Sequence, residues 1–450
     1  MEAIMSIALI ILAAGQGTRM NSDKPKVLHK LAGAPLLWHA MKTGAQIGAD
    51  KTVVVVGHGG EVVEKSAKTF DPQAEIVWQK EQNGTGHAVQ QAESALTGFN
   101  GDALILYGDT PFIRPETLET MLAARQDGAA VSVLGFDAAI PGGYGRLITN
   151  GDSLDAIVEA KDATATQLEI TLCNSGVICA PAPLLFDLLA GLDTNNASGE
   201  LYLTDIVALA RKRDLPCRAI ICDESETLGV NSRADLASAE AAFQTRARAE
   251  AMDNGVTIAA PETVYFSYDT TIGRDVSIEP NVYFGPDVTI ENAAEIRAFS
   301  HLEGCHVSTG CVVGPYARLR PGAELADGAK IGNFVEIKAA QIEAGAKVNH
   351  LSYVGDARVG EGTNIGAGTI FCNYDGVNKH RTDIGKRVFI GSNSALVAPL
   401  TVEDDAFIAT GSVVTENVPS GDMAIARARQ VNKAGLGKKL MDRLRAAKKK

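Results

Sequence analysis

After Gly255 no helical pattern remains, and a bulky aliphatic or aromatic residue returns at every sixth position: Ile272, Ile278, Phe284, Ile290, Ile296 and Leu302. The repeat slips phase and resumes at Val313, Leu319, Leu325, Ile331 and Ile337, then at Ile342, Val348 and Val354, then at Val359 and Ile365. It runs finally from Ile384 through Ile390, Leu396, Val402 and Ile408 to Val414. Glycine or another small or polar residue usually follows, as in "IGRDVS", "FGPDVT", "IGNFVE" and "IGSNSA". Each hexad therefore offers one inward side chain on a short strand and then a turn. Three hexads close one coil of a parallel β-helix, and stacked coils bury a continuous apolar column. Between Ile365 and Ile384 the period fails over "GAGTIFCNYDGVNKHRT". An insertion into a solenoid must leave it as a loop, and such loops are where ligands or neighbouring subunits are met.

The first half obeys a different rhythm. From Met1 to about Asn231, short apolar runs ("TVVVVG", "DALILYGD", "AAVSVLGF", "SGVICA") alternate with amphipathic stretches such as Pro35 to Gly48 and Pro115 to Gln126. That alternation predicts βαβ units around a largely parallel sheet, a doubly wound α/β domain. Ser232 to Met252, rich in Ala, Glu and Arg, reads as one long helix stopped by "DNG". The expected organisation is an α/β domain over 1–231, a linker helix over 232–254 and a β-helix domain over 255–450.

A chain of 450 residues is too long for one core. Its longest apolar run, Ile7 to Ala14, is far short of a membrane span, and the N-terminus lacks the charged start and cleavage pattern of a signal peptide. A cytoplasmic chain without membrane partners is expected, with either Met1 or Met5 as its natural start. Seven cysteines with no CxxC pair give neither a disulfide framework nor a zinc site, and read as reduced thiols filling small core positions. A net charge of -12 argues against bulk nucleic-acid binding, although Lys433 to Lys450 reverses the sign locally. That tail reads either as a solvated basic segment or as a contact for a phosphate-rich ligand or RNA.

"LAAGQGTRM", Leu12 to Met20, follows the first apolar strand and so lies at the carboxyl edge of the sheet, where doubly wound folds bind ligands. Gly15 and Gly17 permit close backbone approach, Thr18 offers a hydroxyl, and Arg19 a fork of donors suited to phosphate oxygens. Lys26 adds a second cation. The stretch is neither a Walker loop, which would end in GK[ST], nor the GxGxxG dinucleotide fingerprint. Taken alone it specifies an anion and no particular nucleotide.

The whole string, followed by "KPKVLH", resembles the signature of nucleotide-sugar pyrophosphorylases, with Gln16 where that family often has lysine. "QNGTGHA" from Gln82 resembles the family's uracil-reading loop, and "YGDTP" from Tyr107 its metal-binding strand end. "GYGRL", "IVEAKDA" and "NSGVI" resemble its sugar pocket, and "GELYLTD" and "LGVNS" the rest of the site. Joined to hexapeptide repeats of the left-handed β-helix type, nearly the entire chain resembles the bacterial enzymes that are both N-acetylglucosamine-1-phosphate uridylyltransferase and glucosamine-1-phosphate N-acetyltransferase. The resemblance implies a Rossmann-like nucleotidyltransferase domain and UDP-N-acetylglucosamine made from UTP, as a precursor for peptidoglycan and lipopolysaccharide. It implies Arg19 and Lys26 on phosphates, Mg²⁺ on Asp109 and Asn231, and nucleotide or sugar contacts from Leu12, Ala13, Ala14, Gly15, Gln79, Gly84, Thr85, Gly145, Glu159 and Asn174. An ionised sugar phosphate needs no general base to attack UTP, so charge neutralisation and alignment are the tasks there.

The second implied activity rests on "VNHLSYVGDA" and the insertion. An amine attacking a thioester must first lose a proton, and a neutral imidazole is suited to take it. His350 is the candidate base. By the same resemblance Arg320, Lys338, Tyr353 and Asn364 would hold glucosamine phosphate, and Asn373, Tyr374, Lys379, Ser392, Thr410 and Arg427 would face acetyl-CoA. The family assembles such scattered positions in a homotrimer with sites between subunits. The basic tail would then lie near the anionic cofactor. Two other readings stand beside this one: a nucleotidyltransferase whose β-helix only oligomerises or regulates, against which His350 and "CNYDGVNK" speak, and a non-catalytic scaffold, against which Arg19, Lys26, Asp109 and Asn231 speak.

Overall fold

Left-handed backbone recurs three times per coil in the second half. One corner turns at Asn281, Phe299, Tyr316, Phe334, Leu351, Gly368, Asn393 and Gly411, the next at Asp287, Gly304, Gly322, Ala339 and Asp356, and the third at Asp275, Ala293, Gly310, Gly328, Gly345 and Gly362. Between corners the chain is extended for two to a few residues, and every strand pairs in parallel with the strand one coil away, as Ile278 with Ile296 and Ile296 with Val313. Side chains one coil apart are separated by 17 or 18 residues. The result is a three-faced parallel β-helix. Its first face runs from Thr257–Ile258 to Met423–Ala424, and its other two are fused where Glu336–Ile342 and Tyr353–Val359 run on around a corner.

The computed structural model describes residues 6–448. Met1, Met5, Lys449 and Lys450 lie outside the described residues. Contacts divide the chain into two compact units, Met1–Arg246 and Ala247–Lys450, the division falling inside helix Arg233–Asp253.

All hexad positions named above are buried except Ile272, which packs partly buried against the same column. Some members of the column escaped the periodicity. Val307 fills the phase slip, and Phe371, fully buried, continues the column into the stretch where the period looked broken. The insertion is therefore shorter than expected: strand Ile370–Cys372 keeps its place in the ladder, and the loop occupies 373–381 before strand Thr382–Ile384.

In the first unit a seven-strand path runs Cys217–Cys222, Val131–Asp137, Leu172–Pro181, Asp102–Tyr107, Ile7–Ala13, Lys51–Val56, Glu75–Trp78. Helices Leu36–Gln46 and Pro115–Gln126 stand where the amphipathic stretches predict them. The sheet is mixed, because Leu172–Pro181 runs antiparallel to both neighbours. Ile10, Val53 and Ile105 face one apolar layer and Leu9, Val54 and Leu104 the other, as strands covered on both sides require.

All seven cysteines are unpaired; five are buried, while Cys222 is partly buried against the core and Cys372 is partly exposed and not in a core position. Helix does return after Gly255, against the reading of the sequence: Leu436–Lys448 in the basic tail is a helix with Leu436, Leu440 and Leu444 exposed along one stripe. No helix among the described residues is long and apolar enough to cross a membrane.

Candidate functional site

The first polar cluster forms where three segments meet. After strand Asp102–Tyr107 the chain turns, and the Asp109 carbonyl accepts the Val230 N–H at 2.9 Å, drawing in the segment that carries Asn231. Ser232 and Asp235 then cap helix Arg233–Asp253 reciprocally: the Asp235 N–H donates to Ser232 Oγ at 3.2 Å and the Ser232 N–H to Asp235 Oδ2 at 2.9 Å. Capping is thus done by Ser232, and the Asn231 side chain is left for other work. Lys26 fills the gap, ion-paired to Asp109 and donating to Asn231 Oδ1 at 3.0 Å.

Lys26 owes its position to Gly17. That residue is left-handed (φ 62), and a Cβ there would lie 2.6 Å from Lys26 Cβ. Around Gly15 a Cβ would meet nothing within 4 Å, so the tip of the loop borders open space. Arg19 is exposed and makes no ion pair among the described residues; it is not drawn into the Lys26 cluster. Leu12, Ala13 and Ala14 are buried at the end of the first strand, with the Leu12 carbonyl accepting from Gly108 at 3.0 Å and that of Ala14 from Gln82 Nε2 at 2.8 Å.

Gln79, Gly84 and Thr85 form one unit. The buried Gln79 amide donates to the Gly84 carbonyl at 3.1 Å and meets His87 Nδ1 at 3.2 Å, both through Nε2, so neither contact uses its Oε1. Thr85 Oγ1 accepts the Leu203 N–H at 3.1 Å. The structure also brings Gly145, Glu159 and Asn174 together: Asn174 N donates to the Gly145 carbonyl at 2.8 Å, and a Cβ on Gly145 would sit 3.5 Å from Glu159 Oε2. Thr204 donates to Glu159 Oε1 at 3.0 Å, yet burial outweighs that bond and holds the Glu159 carboxyl above its ordinary pKa.

In the second unit the candidates fall on two edges of the β-helix. One edge is built by residues that precede the left-handed corners. The Gly368 N–H donates to the His350 carbonyl at 3.2 Å, the Asn393 N–H to that of Ala367 at 2.7 Å, and the Gly411 N–H to that of Ser392 at 2.9 Å. His350, Ala367, Ser392 and Thr410 are therefore stacked coil upon coil, and the Arg427 side chain reaches the top, 3.7 Å from where a Gly411 Cβ would be. His350, Asn349 and Asn333 line a 400 Å³ open groove on this edge with Arg297, Tyr316 and Phe334.

The other edge gathers cations. Arg320 Nη1 donates to Glu336 Oε1 at 2.7 Å, and Lys338 Nζ lies 3.9 Å from Asp356 Oδ1. The neighbouring Lys379, from the extruded loop, together with desolvation pushes the Lys338 ammonium below its ordinary pKa. Asn373 Nδ2 donates to Tyr353 Oη at 3.2 Å and to Asp356 Oδ2 at 2.5 Å, so this loop residue joins Tyr353 on the edge that carries the cations. The Tyr374 hydroxyl is used within the loop, on the Gly376 carbonyl at 2.6 Å. Asn364 stands apart on the first face, between Lys347 and Phe389.

Sequence reasoning missed the partners that hold these groups: Gln82, Thr204, Asp235, Asn333, Glu336 and Asp356. Asn333 carries a signal, being one 17-residue coil before His350. Among the described residues no group of three or more His, Cys, Asp or Glu could hold a metal ion by itself.

Residues 9–187 match the MobA-like NTP transferase domain, and residues 269–304 match the bacterial transferase hexapeptide (six repeats). The chain is 62% identical over 444 residues to the bifunctional protein GlmU of Ruegeria sp. (strain TM1040), covering 99% of each chain. It is 59% identical over 442 residues to the bifunctional protein GlmU of Jannaschia sp. (strain CCS1), covering 98% of this chain and 97% of that one. Among solved structures, a UDP-glucose pyrophosphorylase complexed with UDP-glucose aligns with a TM-score of 0.45 and 20% identity, over 54% of this chain and 100% of that one.

Proposed function

The chain belongs to the GlmU family and is a bifunctional enzyme of UDP-N-acetylglucosamine synthesis, acetyltransferase and uridylyltransferase; from that premise we propose how its residues divide the work. One observation carries the division: each compact unit holds its own polar clusters, built from its own segments.

In the first unit Gln79 Oε1 would accept the uracil imide proton, while Gly145, Glu159 and the Asn174 amide would hold the sugar and its acetamido group, a pairing that an aliphatic pocket could not offer. Lys26 and Arg19 would hold phosphates and align the sugar phosphate with the α-phosphorus of UTP. The donor set fits Mg²⁺. Asp109 and Asn231 are two hard oxygens already converging on a cation, and Mg²⁺ is commonly held by one or two carboxylates plus substrate phosphates and water. When bound it neutralises charge on the phosphates; Asp109 and Asn231 would hold it and Lys26 would turn to phosphate.

In the second unit His350 would take the ammonium proton of glucosamine 1-phosphate, leaving the amine to attack the thioester carbonyl and expel the thiolate of coenzyme A, which takes up a proton. Arg320 and Lys338 would hold the phosphate dianion; Lys379, expected by resemblance to face acetyl-CoA, neighbours Lys338 instead and would add a third positive charge there, with Tyr353 and Asn364 toward the sugar. Asn373 and Tyr374 in the loop, and Ser392, Thr410 and Arg427 on the edge above His350, would take acetyl-CoA. The base and the cations occupy different edges of one chain, which supports a homotrimer in which edges of neighbouring copies complete one site. A cytoplasmic location suits both soluble substrates.

The test is a pair of assays on the purified full chain: thiol release from acetyl-CoA with glucosamine 1-phosphate, and pyrophosphate release from UTP with N-acetylglucosamine 1-phosphate. His350→Ala should abolish the first and spare the second, and Asp109→Ala should do the reverse. Loss of both activities from either variant, still folded, would refute independent sites.

A further inference from the structure

Asn333 and His350 are register partners, one coil apart, at the ends of parallel strands Lys330–Asn333 and Lys347–His350. Each is followed by a left-handed corner residue, Phe334 (φ 56) and Leu351 (φ 50), so both side chains leave the ladder at the same edge. There Asn333 Oδ1 lies 2.6 Å from His350 Nδ1. Both residues line the groove described above.

We propose that Asn333 is the positioning residue of the acetyl-transfer site, accepting a hydrogen bond from His350 Nδ1–H and so fixing Nε2 as the atom that takes the substrate proton. The inference rests on His350 being the base. Its chemistry follows from what an amide oxygen can do: it only accepts, so the nitrogen facing it must carry the hydrogen, and the lone pair of the other nitrogen is free. A neutral imidazole exposed to water exchanges between tautomers and spends much of its time with the hydrogen on Nε2, where it cannot act as a base. A fixed acceptor on Nδ1 reverses that preference and also fixes the ring about its Cβ–Cγ bond, the service a buried carboxylate performs in serine proteases.

An amide does this without adding charge. Arg297, which also lines the groove, is paired with Glu295 at 2.9 Å. On the coil above, Ala367 is uncharged, and Ser352 Oγ donates to the His350 carbonyl at 2.9 Å without touching the ring. Asn333 thus gives the orientation that a carboxylate would give and omits the rise in imidazole pKa that a carboxylate would bring.

Two variants of the full chain test this. Asn333→Ala should lower kcat for acetyl transfer by about 10-fold or more, a part of the roughly 10²–10⁴-fold that general-base catalysis supplies, with the KM for acetyl-CoA and the uridylyltransferase rate unchanged. Asn333→Asp keeps an acceptor on Nδ1 and adds a charge; it should recover most of the rate and move the acid limb of the pH–rate profile to higher pH. A positioning role is read from the contrast between the variants: rate lost in Asn333→Ala and recovered in Asn333→Asp, the shifted limb showing that the new carboxylate meets the catalytic imidazole. Wild-type kcat and pH profile in both variants, with His350→Ala inactive, would overturn the role of Asn333 alone. Full acetyl transfer by His350→Ala would overturn the assignment of the base, and this inference with it.

Discussion

Lys26 bridges Asp109 and Asn231: its ammonium is ion-paired to the carboxylate and donates to the amide oxygen at 3.0 Å, although the three residues come from distant segments. The cation and the two oxygens are mutually satisfied without ligand, so a phosphate that draws Lys26 away frees both oxygens together. Lys26→Met should therefore cost more than one phosphate contact. Uridylyl transfer is expected to fall by about 10²–10³-fold, the range for removing a preorganised electrostatic group, with acetyl transfer unaffected. Parallel rate assays on one preparation decide it, and a loss shared by both activities would count against the proposed role.

Gly17 sets the reach of that lysine. Alanine at this position must adopt φ near 62° and place its Cβ 2.6 Å from Lys26 Cβ, too close for either backbone to remain still. Left-handed geometry alone costs a non-glycine residue about 1–2 kcal/mol. Gly17→Ala should lower the melting temperature of the first unit by a few degrees and raise the KM for UTP. Gly15→Ala, with nothing within 4 Å of its Cβ, should leave the melting temperature unchanged. Equal destabilisation by the two would remove Lys26 from the explanation.

The hexads made the β-helix legible because one buried side chain per six residues is a demand of the coil itself, and Ile278, Phe284 and Ile290 could be placed inside without any partner being known. The same rule hid Val307 and Phe371, since a corner shortened by one residue looks like a missing member and an insertion two residues later looks like an early end. Strand direction was not legible. The pattern of Leu172–Pro181 is that of a buried strand, and only the connection before it, through the hairpin Arg146–Asn150 and Ser153–Val158, makes it antiparallel. Site residues could be named from their motifs, but their supports are tertiary. Thr204 reaches Glu159 from a separate segment, and Asn333 reaches His350 only because a coil is 17 residues long there.

Glu159 carries a pH signature. Burial raises its carboxyl above the ordinary range, so the folded chain holds this proton more tightly than the unfolded chain does. Its contribution to stability is therefore complete below the unfolded pKa and is lost as pH rises through the folded one. Glu159→Gln removes the titration and keeps the shape. The variant should melt higher than wild type at neutral pH, with the gap closing as the pH falls into the carboxylate range, and its KM for N-acetylglucosamine 1-phosphate should rise by about 10-fold or more because a charged acceptor is gone. A melting difference independent of pH would refute the assignment.

The edge above His350 offers a sharper test of where acetyl-CoA runs. Ala367 stands between His350 below and Ser392 above, half-buried, with its carbonyl bonded to the Asn393 N–H at 2.7 Å, so its methyl marks the floor between the base and the proposed coenzyme contacts. A large side chain there would leave the backbone ladder intact, since the corner itself is turned by Gly368. It would also leave Arg320, Lys338 and Lys379 alone, because they lie on the other edge. Ala367→Trp should therefore raise the KM for acetyl-CoA by about 10-fold or more, as loss of one to two kcal/mol of binding requires. The KM for glucosamine 1-phosphate and the uridylyltransferase rate should stay at wild-type values. If the sugar phosphate were affected instead, the two substrates would have to exchange edges, and Ser392, Thr410 and Arg427 would need another role.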